Sequence, residues 1–158
     1  MADSIRKRIV DALMAMLAGD VDTPRPAELG SVSINKNRSI PVNADEMPMY
    51  SIYFLHDPPT PAGNMRRPVI MDRKLLIEVR IIVQGTDDDA DPHCQWVTNR
   101  FATADRLPQP DGTNLTLGIM ENETLFEPLE GAINEMTVTK IRWTVEYRTR
   151  PEDITRLS

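Results

Sequence analysis

The sequence predicts an α+β fold: a mainly antiparallel twisted sheet of four to five strands, with two helices packed on one face and long loop or arm insertions. Three observations predict it. Two long stretches, 73–85 and 133–149, alternate apolar and polar residues with the period of a half-buried strand. Two others, one at the N-terminus and one after residue 91, repeat apolar residues at the spacing of an amphipathic helix. With 158 residues, 41% hydrophobic and 27% charged, the chain has the make-up of one globular domain, 1–158, and no apolar run long enough to span a bilayer.

The elements follow in order. Asp3 or Ser4 is placed to cap a helix in which Ile5, Ile9, Leu13 and Leu17 form one stripe, ending near Gly19. Basic residues precede apolar ones here, as in a signal peptide. Asp3 and Asp11 break the run and no small-residue cleavage site closes it, so it reads as a helix that stays. Residues 20–46, with Pro24, Pro26, Gly30 and Pro41, form an irregular arm holding at most one short strand at 31–35. "MPMYSIYFL", 47–55, is a strand with Tyr53 on one face and Tyr50 and Phe54 on the other, which predicts an interior position in the sheet. "HDPPTPAGNMRRP", within the second arm region at 56–72, is too long for a tight hairpin and reads as a projecting loop. In the strand that follows, Leu75, Ile77, Val79, Ile81 and Val83 share one face and Glu78 and Arg80 the other. Asp91, with Pro92 after it, is the expected cap of the second helix, running to about 105 with Cys94, Val97, Phe101 and Ala104 inward and Trp96 at its edge. Strands at 115–127, weakened at Gly118, and 133–149 close the chain. Ile9, Leu13, Phe101, Trp143 and Tyr147 are the expected core anchors.

Charge and chemistry exclude more than they identify. A net charge of −6 and a pI near 4.9 do not fit a dedicated nucleic-acid binder. The single Cys94 fits a reducing compartment. His56 and His93 are the two histidines, so a four-ligand His/Cys zinc site cannot be built, and His93 and Cys94, adjacent on a helix, point apart. Asp87, Asp89 and Asp91 open like an EF-hand loop, but Pro92 stands where that loop needs glycine and Thr98 where it needs a bidentate glutamate. Carboxylates before a helix start favour its free N–H groups, and a loosely held divalent ion is the alternative. There is no phosphate-binding glycine loop and no nucleophile elbow. No catalytic, cofactor or metal residue is assigned; the chain reads as a non-enzyme.

Taken together, "SIRKRIVDALMAML", the aromatic strand followed by "HD" and an arm, "LLIEVRIIVQG" leading into an acidic helix start, and the closing "EMTVTKIRWTVEYRTRPED" resemble the tail terminator (minor tail, tail completion) proteins of tailed bacteriophages, over about residues 4–153. That resemblance implies a structural virion protein, made in the host cytoplasm, that closes into a homohexameric ring at the tail–neck junction. Such a ring caps the tail tube, ends its elongation and meets the neck or head completion protein, while DNA passes through unread and no membrane is involved. A ring needs contact surfaces, and Asp57, Arg66, Arg67, Glu78, Arg80, Arg142, Glu146, Arg148 and Arg150 are the expected ones. Rival readings are a head–tail connector (neck or head completion) protein, a tail tube subunit, and a small metal-dependent hydrolase using Asp87 to Asp91.

Overall fold

A computed structural model describes residues 3–38, 44–62, 70–103, 107, 116–128 and 136–149. The first helix, α1 (Ile5–Ala18), begins where Ser4 Oγ accepts the Lys7 N–H at 3.2 Å. It stops at Gly19, whose φ of 86° suits glycine and where a Cβ would meet Arg25 N at 2.6 Å. Next come β1 (Ser33–Lys36), β2 (Met49–His56), β3 (Pro59–Ala62), β4 (Ile70–Gln84), α2 (Asp87–Ala102), β5 (Gly118–Pro128) and β6 (Met136–Thr149), with short 3-10 turns at Ala27–Leu29 and Ala44–Glu46.

The described strands form one six-stranded sheet, in the order β1-β2-β4-β6-β5, with β3 paired to the start of β4. Only the β1–β2 pairing is parallel. β4 and β6 run side by side over their full lengths, from Met71 opposite Thr149 to Gln84 opposite Met136. That register puts the odd-numbered residues of both strands on one face, where α1 and α2 cover them. Trp143, Phe101, Ile9 and Leu13 are essentially inaccessible there, and Tyr147 is 2% exposed. The Phe101 and Trp143 rings meet edge-on at 5.1 Å, a geometry that adds to simple area burial. On the other face, Met49, Ile82 and Val138 form a small second cluster with Met47 and Met136 against it.

Three expectations need correction. The 56–72 arm is not all loop: residues 59–62 pair with 70–73, because an antiparallel edge position accepts proline where a ladder N–H is not needed. This adds a strand to the expected count. The second helix starts five residues early, at Asp87 with Thr86 as its cap. Thr86 N–H donates to Asp89 Oδ2 at 2.8 Å, so the acidic run itself forms the start and Pro92 lies inside the helix. Trp96 is buried rather than marginal, its Nε1–H donating to the Leu17 carbonyl at 3.0 Å and joining α2 to the end of α1. Ala104 lies outside the described residues.

Candidate assembly surface

The face of the sheet turned away from the helices carries a lattice of charges set by the β4–β6 register. Glu78 lies opposite Arg142, Lys74 opposite Glu146 and Asp72 opposite Arg148. Glu78 is the centre of it, with a side chain only 2% exposed. Its two oxygens accept from Arg80 Nε at 2.7 Å and Arg142 Nε at 3.1 Å, and Arg142 reaches on to Glu123 of β5 at 2.7 Å. Burial alone raises the Glu78 carboxyl, but the two arginine hydrogen bonds outweigh it and hold the group below the usual glutamate value. The Arg80 guanidinium also lies 4.1 Å from the centre of the Tyr53 ring. This side of the sheet therefore carries charges bonded to one another across β4, β6 and β5, beside the small apolar cluster at Met49, Ile82 and Val138.

At the end of the sheet where β6 finishes, Arg148 Nε donates to Asp72 Oδ1 at 2.6 Å, with both side chains substantially open. Asp72 lies ahead of the 75–83 alternation, because β4 begins earlier than that alternation shows. Asp57, with 8% of its side chain exposed, sits inside the fold: its Oδ2 accepts from Tyr147 Oη at 2.6 Å while Arg6 and Arg73 approach at 3.4 and 3.6 Å. The Oδ1 atom of Asp57 is buried with no hydrogen-bond partner, beside a void of about 20 Å³. Asp57 and Glu78 thus act within the chain, whereas Arg80, Arg142, Glu146 and Arg148 reach the surface. Arg66, Arg67 and Arg150 lie outside the described residues.

The helix face holds a groove of about 500 Å³ between α2 and strands β5 and β6. It opens toward the edge of the sheet, which β5 forms. Asp87, Asp88 and Asp91 border it, Cys94 and Thr139 line it, and Phe126 stands 63% exposed at its side. Sequence periodicity had no means of finding this groove, since no motif marks it. Asp89 is occupied by the Thr86 cap and Asp91 accepts from Gln95 at 2.7 Å, and among the described residues no three His, Cys, Asp or Glu converge on a metal position. His93 is the buried member of its pair with Cys94: Tyr50 Oη and His93 Nδ1 are 2.6 Å apart. Burial first, then the positive charge of Arg25, lowers the His93 imidazole, while burial raises the Cys94 thiol and makes it a poor nucleophile.

The described residues form an α+β fold with a charged sheet face on one side and helices on the other, and among them no three His, Cys, Asp or Glu could hold a metal ion. No family model matches the chain, and no curated protein matches it. Among solved structures it is similar to a chain from the virion of a native gene transfer agent particle, at a TM-score of 0.54 and 13% identity, covering 86% of this chain and 92% of that one. At this identity the likeness is one of fold.

Proposed function

We propose that this chain is a structural protein of a phage-like virion, and that it forms a ring at the tail–neck junction which caps the tail tube, ends tail elongation and offers the surface joined by the head. The observation that carries the virion role is the shared fold, nearly end to end in both chains, with a component of a gene transfer agent particle. The finer role draws on the resemblance of the closing strand and the acidic helix start to tail terminators, and on a sheet face whose charges are braced across three strands. A net negative chain also suits the wall of a DNA channel, since it does not grip phosphates. The ring is expected to be a homohexamer with the tail tube protein on one side and a neck protein on the other.

Particles assembled without the protein test the reading. Overlong tails, or tails that fail to join heads, are the expected result. Filled heads that leak DNA would assign the chain to the neck, and absent tubes would assign it to the tube itself.

A further inference from the structure

We propose that the void beside Asp57 is a binding site for one water molecule, held as a structural link between the start of α1, the start of β4 and the end of β6.

The observation that carries it is the uneven use of one carboxylate. Asp57 Oδ2 takes the contacts: the Tyr147 hydroxyl donates to it at 2.6 Å, and Arg6 Nη1 and Arg73 Nη1 stand 3.4 and 3.6 Å away. Oδ1 is buried and accepts from no protein donor, in a side chain that is only 8% exposed. Burial strips such an oxygen of its hydration, and native structures almost always return a donor to it, from protein or from ordered water. The void next to it, about 20 Å³, is lined by Ser4, Arg6, Asp57, Arg73 and Tyr147, every one of them a hydrogen-bonding residue.

Size, charge and hydrogen-bond chemistry select the occupant. One water needs about 10–15 Å³ of such space and takes about 30 Å³ in the liquid, so the void admits one molecule and not two. A sulfate or an organic anion is too large for it. A cation is disfavoured, because Arg6 and Arg73 set two positive charges against the single negative charge of Asp57. A halide cannot donate to Oδ1 and would be repelled by it. Water does both things the site requires, donating to Oδ1 and accepting from a guanidinium.

The surrounding residues leave groups for it. Arg73 spends its Nε–H on Thr149 Oγ1 at 2.9 Å, and its Nη1 lies too far from Asp57 for a direct hydrogen bond. Contacts of 3.4 and 3.6 Å are long for charge-assisted bonds, and a bridging water supplies shorter ones. Ser4 Oγ accepts the Lys7 N–H, so its hydroxyl hydrogen can turn to the void. One molecule thereby connects the cap of α1 to the carboxylate that holds β6.

The test is the electron density at atomic resolution in crystals of the full chain. A single peak within about 3.2 Å of Asp57 Oδ1, refining as one oxygen and giving no anomalous signal after bromide or rubidium soaks, is the expected result. Tyr147→Phe removes the bond to Oδ2 and leaves Oδ1 in place, so the peak is expected to persist there. No peak, an anomalous peak, or a protein donor within hydrogen-bond distance of Oδ1 would overturn the site. Loss of the peak in Tyr147→Phe would overturn it too, since the phenol and not Oδ1 would then be the anchor.

Discussion

Tyr147 donates a 2.6 Å hydrogen bond to Asp57 Oδ2, tying the far end of β6 to the residue between β2 and β3. Arg6 of α1 and Arg73 of β4 approach the same oxygen, so one carboxylate gathers three elements, α1, β4 and β6, at the base of the β3–β4 hairpin. Burial, and then the bond to Asp57, push the Tyr147 phenol above its ordinary range, which keeps it a neutral donor. Tyr147→Phe is expected to cost about 1–2 kcal/mol in urea unfolding, and Asp57→Ala about 3 kcal/mol because it leaves the half-buried Arg73 without its carboxylate. Equal costs for the two would show that the hub is not shared.

Glu78 is a buried charge held by two partly exposed arginines. Glu78→Ala is expected to destabilise by about 3 kcal/mol, and Arg142→Ala by less, since Arg80 remains. Because the folded carboxyl lies below its ordinary value of 4.5, its contribution is present above that pH and is lost as the pH falls through the lower folded value. Acid unfolding monitored in wild type and Glu78→Gln should show this dependence only in the wild type.

His93 titrates in the same sense by a different cause. It is buried against Tyr50, within the field of Arg25, and its imidazole charges in the folded state at a lower pH than the ordinary 6.5. Stability from the neutral ring is therefore full above that value and declines as the pH falls toward the folded pKa. Thermal melts of wild type should lose temperature on moderate acidification, whereas His93→Gln, which keeps an acceptor for the Tyr50 hydroxyl, should lose less.

The Arg148–Asp72 pair is open to solvent on both sides, so Arg148→Glu is expected to change folding stability by no more than about 1 kcal/mol. Its exposed place at the end of the sheet leaves it available to a neighbouring copy in the proposed ring. Native mass spectrometry should show impaired assembly at an almost unchanged melting temperature. Normal rings from this variant would count against the expectation.

Much of the fold was legible in the residues themselves. Period two in 73–85 and 133–149 placed the two central strands, and the stripe from Ile5 to Leu17 placed α1, because burial of one face leaves a direct trace in local order. The start of α2 at Asp87 differs from the expected cap at Asp91, since Pro92 is a stronger local signal than the capping box of Thr86 and Asp89, and a proline in the second turn is tolerated. The strand at 59–62 was hidden by its prolines, which a sheet edge accepts.

The sequence by itself determined the α+β class, the two apolar faces and the absence of familiar catalytic motifs, because these depend on period and composition. Tertiary structure alone decided which charges are internal and which are surface. Glu78 and Arg148 look equivalent along the chain, yet register places one under two arginines and the other at an open end. It also created the groove at α2, whose walls come from residues 87–99, 124–126 and 139–141 and whose nearness depends on strand order. Periodicity reports which way a side chain points, whereas pairing between distant segments reports what it meets.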